Sequence, residues 1–172
     1  MKRILCLLMA LCMFLPVMAM ADEAPAAKVG VAYAACHSHG VAVATVAVVD
    51  GVIVDAKIDE IYFTNANDQF VVLPNGGEIA VVDETTVVAI SKRQNDEVYS
   101  ANMVARGGQT VATSYDAIEA FVIGKTIAEL EAAVEGFTAD NKADFVDVVS
   151  GATLVDTLSY TLALLDAAHN AQ

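Results

Sequence analysis

One short run near the C-terminus combines several groups that could do chemistry. The residues from Asp147 to Thr153 read DVVSGAT, and an apolar stretch with helical spacing follows them. Ser150 is a good N-cap, so the pattern predicts a helix from about Ala152 to Ala168. Its apolar stripe is formed by Leu154, Leu158, Leu162 and Leu165. The simplest interpretation of the run is a capped helix start and nothing more.

The same geometry supports a chemical interpretation of Thr153. With Ser150 as the N-cap, Thr153 is the third helical residue, and its hydroxyl lies beside backbone N–H groups that lack intrahelical partners. Such N–H groups and the helix dipole favour an anion. A phosphate ester on Thr153 would therefore be stabilised. Gly151 and Ala152 keep the approach open, because neither carries a side chain that would block it.

The run fits the pattern D-x-x-S/T-G/A-A-S/T and resembles the FMN-binding domain family. This family includes flavin-bearing subunits of sodium-pumping NADH:quinone oxidoreductases and exported bacterial flavoproteins. Residues 50–59 are similar to the family's hairpin, with Val52 in place of the common Lys. Tyr99–Met103 and Tyr115–Leu130 resemble its helical segment, although the usual Trp near Tyr115 is absent. The resemblance covers residues 40–168.

The resemblance implies a cofactor and a set of site residues. Thr153 would carry FMN through a phosphoester bond, made by a flavin transferase that uses FAD as donor. Asp147 would be needed for the modification, while Ser150, Gly151 and Ala152 would shape the phosphate and linkage region. The flavin would supply the redox chemistry.

The implied function is extracytoplasmic electron transfer with membrane or extracellular redox partners. A carrier is favoured over an enzyme with its own substrate. The alternative is a non-redox or non-covalent module that binds or scavenges flavin at the cell envelope.

The N-terminus predicts export. Lys2 and Arg3 precede an apolar run from Ile4 to Val17, and Ala19-Met20-Ala21 is a small-x-small cleavage pattern. We expect a signal peptide over residues 1–21, cleaved after Ala21, and a periplasmic, secreted or cell-surface protein. An uncleaved anchor is the alternative, but the apolar run is short for a full span. No later run reaches transmembrane length, so no integral span is expected in the mature chain.

Charge and cysteine content narrow the function classes further. The formal net charge is −13, and removal of Lys2 and Arg3 lowers it to −15. Such a surface repels nucleic acid, so a nucleic-acid partner is not expected. Cleavage would also remove Cys6 and Cys12, leaving Cys36 without an intramolecular disulfide partner.

The order of elements predicts an α+β fold, with an antiparallel sheet of β-hairpins packed against C-terminal helices. We expect an N-terminal lead over residues 22–39 and one FMN-binding domain over 40–172. Asp50-Gly51 separates two β-prone runs and predicts a hairpin. A second turn is expected at residues 74–77, followed by a strand at 85–90. A helix is expected at 114–123 and ends at Gly124. A second helix is expected after Thr126, with Glu129 as its capping-box partner and Gly136 as its end.

Three further groups of residues were weighed as sites. Cys36-His37-Ser38-His39 carries metal-ligand types but lacks a second cluster, so a surface turn is favoured and no metal is predicted. Lys92, Arg93 and Arg106 could pair with a phosphate or a substrate, but ordinary surface charge is the favoured interpretation. Aromatic side chains could flank a flavin ring or pack in the core; these are Tyr62, Phe63, Phe70, Tyr99 and Tyr115.

Overall fold

The computed structural model describes residues 25–74 and 85–171 of the 172-residue chain. Within these residues, four antiparallel strands form one sheet in the order β1-β2-β3-β4. The strands are β1 (Lys28–Ala34), β2 (Gly40–Val49), β3 (Val52–Asn65) and β4 (Val87–Ser91). Helices follow the strands along the chain, and the two longest of them pack against the sheet. The predicted α+β class with an antiparallel sheet is therefore confirmed.

Two sequence predictions fall on residues outside the described ranges. The expected signal peptide over 1–21 lies outside them entirely. The expected turn at 74–77 has only Pro74 within them. Both stay predictions.

The hairpin of β2 and β3 is the one that Asp50-Gly51 predicts. Asp50 has a φ of 50° and Gly51 a φ of 79°, so both turn residues occupy the left-handed region that this turn requires. The register shifts after the turn: Val48 pairs with Ile53, but Ala47 pairs with Asp55. Val54 is thus an extra residue in β3. This bulge explains why the apolar alternation of β3 is imperfect in the sequence.

β1 lies within the range that the sequence assigned to a lead. It pairs with β2 from Lys28 opposite Val48 to Ala34 opposite Ala42. The sheet therefore begins at Lys28, within the residues expected to form the N-terminal lead. The strand was missed because its buried positions hold small residues, Gly30 and Ala32, and give little hydrophobic signal.

The helical part contains α1 (Asp96–Val104), α2 (Val111–Val122), α3 (Ile127–Val134), a 3-10 helix (Lys142–Val148) and α4 (Thr157–Asn170). The predicted capping box of α3 is confirmed. The Thr126 hydroxyl accepts from the Glu129 N–H, and the Glu129 carboxylate accepts from the Thr126 N–H. Gly124 and Gly136 have φ values of 87° and 84° and separate the helices as expected.

α4 packs closely on β1 and β2 through small side chains. A Cβ atom at Gly30 would lie 1.9 Å from the Ala167 carbonyl oxygen, so only glycine fits under the helix. The predicted leucine stripe is partly wrong, because Leu162 is exposed and Leu154 precedes the helix. The buried residues of α4 are Thr157, Leu158, Tyr160, Thr161, Ala163, Leu164, Leu165, Ala167 and Ala168.

No helix in the described part of the chain combines the length and apolar character needed to cross a membrane.

Gly30→Ala should lower the free energy of unfolding by about 1–3 kcal/mol, since the added methyl group meets backbone atoms that cannot rotate away. Urea denaturation measures the change. Val29→Ala is the matched control, because Val29 is the exposed neighbour in the same strand, and should cost less than about 1 kcal/mol. Equal stabilities of the two variants would contradict the proposed close packing.

Candidate functional site

Thr153 lies in a loop before α4, which corrects the expected helix start at Ser150 and Ala152. α4 begins at Thr157, and its N-cap residue is Asp156. Gly151 has a φ of 91°, a left-handed value that interrupts any helix from Ser150. The residues from Val149 to Asp156 therefore connect the 3-10 helix to α4 as an irregular segment, which we call the Thr153 loop.

The Thr153 loop is attached to the start of a different helix, α2. The Thr153 hydroxyl oxygen accepts a hydrogen bond from the Gln109 N–H at 2.9 Å. The Thr153 N–H donates to the Ser114 hydroxyl at 3.4 Å. These contacts between distant parts of the chain place Thr153 beside the N-terminal end of α2 instead of inside its own helix.

The N–H groups at the start of α2, near the Thr153 hydroxyl, have side-chain partners. At the start of α2, the Val111 N–H donates to the Ser100 hydroxyl and the Ala112 N–H donates to Asp96, both at 2.9 Å. The Thr113 N–H donates to the Thr110 hydroxyl that caps the helix. The expected position of Thr153, beside the N–H groups of its own helix start, is therefore wrong, and the N–H groups at the start of α2 already have side-chain acceptors. What remains at this end of α2 is the dipole, which favours negative charge within the first turn.

A glycine-rich turn borders the Thr153 hydroxyl. Gly107 has a φ of 85°, and a Cβ at Gly108 would lie 3.5 Å from the Thr153 hydroxyl oxygen and 3.2 Å from the Met103 carbonyl oxygen. Arg106 precedes these glycines and is exposed. The turn thus combines little side-chain bulk beside the hydroxyl with one cation, Arg106, two residues before Gly108.

The other residues of the run have different exposures. Asp147 is exposed in the 3-10 helix, and Ser150 and Gly151 are exposed in the following turn. Ala152 is buried and belongs to the core. Thr153 itself is exposed. The hydroxyl is therefore reachable from solvent, as a modification by a second protein would require.

Thr153 borders a cavity of about 290 Å³. The volume is close to the lower end of the range for small-molecule sites, roughly 300–1,000 Å³. Both polar and apolar groups face it, which is typical of a ligand site. Its lining residues are His37, Lys92, Tyr99, Met103, Val111, Thr153, Leu154, Val155, Asp156 and Tyr160.

Lys92 is a buried wall residue of this cavity, so ordinary surface charge is the wrong interpretation for it. It is 2% exposed, and its ammonium contacts the Glu60 carboxylate at 3.0 Å. The same carboxylate oxygen accepts a hydrogen bond from the Tyr160 hydroxyl. Glu60 is fully buried, and a Cβ at Gly40 would lie 2.1 Å from its second oxygen. A charged pair is thus held inside the core, directly behind the cavity.

Arg93 is also engaged within the fold, which corrects the surface-charge interpretation for it as well. Its Nε donates to the Ile58 carbonyl oxygen, and its guanidinium pairs with Asp116 and Glu119. Burial alone would lower the pKa of Arg93. The two carboxylates outweigh that effect and hold the pKa above its usual value. Arg93 therefore fastens α2 to β3. Of the three basic residues weighed from the sequence, Arg106 is the one that is exposed.

Two of the five candidate aromatic residues lie close to Lys92. The ammonium is 5.1 Å from the centre of the Tyr62 ring and 4.8 Å from that of the Tyr99 ring. The two rings meet edge to face at 5.5 Å, and Tyr99 lines the cavity. Burial, with a smaller effect from Glu60 and Asp156, raises the pKa of Tyr99 to about 12. Tyr99 therefore stays a neutral phenol at physiological pH.

The remaining aromatic candidates lie elsewhere. Tyr115 is fully buried and packs edge to face on Tyr160 at 4.9 Å, and burial raises the pKa values of both. Phe63 is exposed beside a different depression, which it shares with His39. Phe70 is half-buried and does not line the Thr153 cavity. Core packing is thus the better interpretation for Tyr115.

The Cys36-His37-Ser38-His39 segment is only partly the surface turn that was expected. Ser38 and His39 are exposed, but Cys36 is 6% exposed. Burial first, and then the negative charges of Glu60 and Asp156, raise the pKa of the Cys36 thiol to about 12. His37 borders the Thr153 cavity. Residues 25–74 and 85–171 contain no cluster of His, Cys, Asp and Glu arranged to hold a metal.

Comparison of the chain with models of protein families, with curated proteins and with solved structures finds no match.

Sequence reasoning missed Glu60, Tyr160 and Asp156 as neighbours of the site. For Glu60 a signal was present, because it follows Ala56 and Ile58 at alternate positions of β3 and so points inward with them. Tyr160 and Asp156 gave no comparable local signal. The positions of these two residues depend on where α4 begins. That in turn depends on the contacts of the Thr153 loop with the start of α2.

Cys36 should react slowly with a thiol-specific disulfide reagent at pH 8, because a pKa near 12 leaves little thiolate and burial blocks access. The double variant Cys36→Ser/Ser38→Cys places the thiol two residues away on the exposed turn. We expect it to react at least roughly a hundredfold faster. Denaturant should make the two rates similar. Equal rates in the folded proteins would contradict the burial of Cys36.

Proposed function

We propose that this protein is an exported flavoprotein that carries FMN as a phosphoester on Thr153 and transfers electrons outside the cytoplasm. One observation carries the proposal: the exposed Thr153 hydroxyl lies at the edge of a cavity walled by tyrosines and a buried lysine. The resemblance of the residues from Asp147 to Thr153 to a flavin-attachment motif supplies the cofactor. Its chemistry when bound is the uptake and release of one or two electrons.

The residues around Thr153 are suited to the two chemically different parts of FMN. The phosphate would lie at the glycine-rich turn, where Gly107 and Gly108 leave space and Arg106 offers a cation. The dipole at the start of α2 favours the same negative charge. The ring would enter the cavity beside Tyr99, whose aromatic side chain is a natural stacking partner.

The size of the cavity favours a carrier over an enzyme with a substrate of its own. About 290 Å³ is near the lower limit for one small ligand, which leaves no room for a substrate beside the ring. Electron donors and acceptors would then approach the exposed edge of the site. The proposed partners are a flavin transferase that uses FAD and redox proteins of the membrane or the extracellular space.

The alternative function is a non-covalent module that binds or scavenges flavin at the cell envelope. The same cavity would serve it, but Thr153 would then be one wall residue among several. Denaturation distinguishes the two functions, because only a covalently bound flavin stays attached to the unfolded chain.

Thr153→Ala should abolish covalent flavin when the protein is exported from a host with an active flavin transferase. Intact mass and peptide mapping over residues 143–172 would show the mass of FMN less water on the native chain and its absence from the variant. Thr153→Ser keeps a hydroxyl and should retain the flavin. Thr153→Ala also loses the hydrogen bond from the Gln109 N–H, which should lower the free energy of unfolding by only about 1 kcal/mol. Flavin that leaves the native chain on denaturation would favour the scavenging module, and no flavin at all would overturn both functions.

Asp147→Ala should reduce flavin attachment by at least about tenfold without unfolding the protein. Asp147 is exposed, so its removal should change stability by less than about 0.5 kcal/mol. The flavin-to-protein absorbance ratio measures attachment, and thermal unfolding checks the fold. Asp144→Ala is the matched control, because Asp144 is an exposed carboxylate of the same 3-10 helix. Equal attachment in both variants would remove Asp147 from the proposed recognition motif.

A further inference from the structure

Lys92 occupies a costly position for a residue with only a structural role. Taking an ammonium and a carboxylate out of water costs several kcal/mol per ion, and a buried pair is often no more stable than apolar residues of similar size. The chain contains only 9 Lys and Arg residues against 22 Asp and Glu. One of these few cations is nevertheless 2% exposed and forms part of the wall of the Thr153 cavity. Its position therefore suggests a purpose within the cavity.

The surroundings of Lys92 hold its charge in one place. Glu60 contacts the ammonium at 3.0 Å, and the rings of Tyr62 and Tyr99 lie 5.1 and 4.8 Å from it. Glu60 does not line the cavity, whereas Lys92 does. The carboxylate that does line the cavity, Asp156, is paired with Lys142. Lys92 is therefore closer to a ligand in the cavity than Glu60 is, because Lys92 belongs to the cavity wall and Glu60 does not.

We infer that the charge of Lys92 raises the midpoint potential of the flavin on Thr153, an inference that rests on the proposed function. Reduction of the ring by two electrons from a donor, with uptake of one proton from solvent, leaves a single negative charge on the ring. A fixed cation close to the ring stabilises this charge relative to the neutral oxidised ring. Lys92 is the group in the cavity wall that can supply it.

The test is the midpoint potential of the flavinylated protein, measured by titration with dithionite at fixed pH. Lys92→Met should disfavour reduction by at least tenfold, which is about 30 mV for a two-electron couple. Lys57→Met is the matched control. It removes the same charge, but from an ammonium that is paired with Glu119 and does not border the cavity. Its potential should equal that of the native protein.

A second variant covers the risk that Lys92→Met fails to fold, since it leaves Glu60 buried without its cation. The double variant Lys92→Met/Glu60→Gln removes both charges and keeps the shapes similar. Its potential should also fall, but less than that of Lys92→Met, because the negative charge behind the cavity is lost as well. Circular dichroism and thermal unfolding show which proteins are folded.

The outcomes separate this inference from the proposed function. The role of Lys92 is supported if Thr153 carries flavin, both Lys92 variants have lower potentials, and the potential of Lys57→Met is unchanged. Flavin on Thr153 with unchanged potentials in the Lys92 variants, or with the same shift in Lys57→Met, overturns that role and leaves the proposed function standing. Absence of flavin from native Thr153 overturns both.

Discussion

The carboxylate of Glu60 joins three parts of the chain that are far apart in sequence. Glu60 itself belongs to β3, the Lys92 ammonium comes from the residue directly after β4, and the Tyr160 hydroxyl comes from α4. The backbone adds a further link, because the Lys92 N–H donates to the Glu60 carbonyl oxygen at 3.0 Å. A buried carboxylate tolerates little displacement of its partners, since each lost hydrogen bond leaves charge uncompensated. This interaction therefore ties α4 to β3 and to the residue after β4, in addition to the packing of α4 on β1 and β2.

The next residue along the chain fixes the other long helix to the same strand. Arg93 binds the Ile58 carbonyl oxygen of β3 and the Glu119 carboxylate of α2. Glu119 also accepts the Ile58 N–H at 2.9 Å. Two consecutive basic residues thus set the positions of α4 and α2. The Thr153 loop leads into α4 and is hydrogen-bonded at the start of α2, so the geometry around its hydroxyl follows from both attachments.

Features set by a few neighbouring residues could be predicted from the sequence. The Asp50-Gly51 turn and the Thr126–Glu129 capping box depend on local backbone geometry, and both were found where expected. The start of α4 could not be predicted, because contacts with Gln109 and Ser114 compete with a local cap at Ser150.

The burial of charged residues could not be predicted from the sequence either, because it depends on distant partners. Lys92 is among the polar residue types that normally lie outside, and only its distant partner Glu60 makes its burial possible. The motif alone predicts Thr153 as the attachment residue, while the cavity beside it depends on side chains from several separate elements.

The contact between Gly40 and Glu60 limits how this sequence can evolve. Because a Cβ at position 40 would overlap the Glu60 carboxylate, the two positions are not independent. A larger residue at position 40 would require the Glu60 carboxylate to move or position 60 to shorten, and either change would disturb the ion pair with Lys92. The effects of substitutions at positions 40, 60 and 92 on stability should therefore be coupled and not additive. Related sequences should show correlated substitution at these three sites, even where the rest of the sheet has diverged.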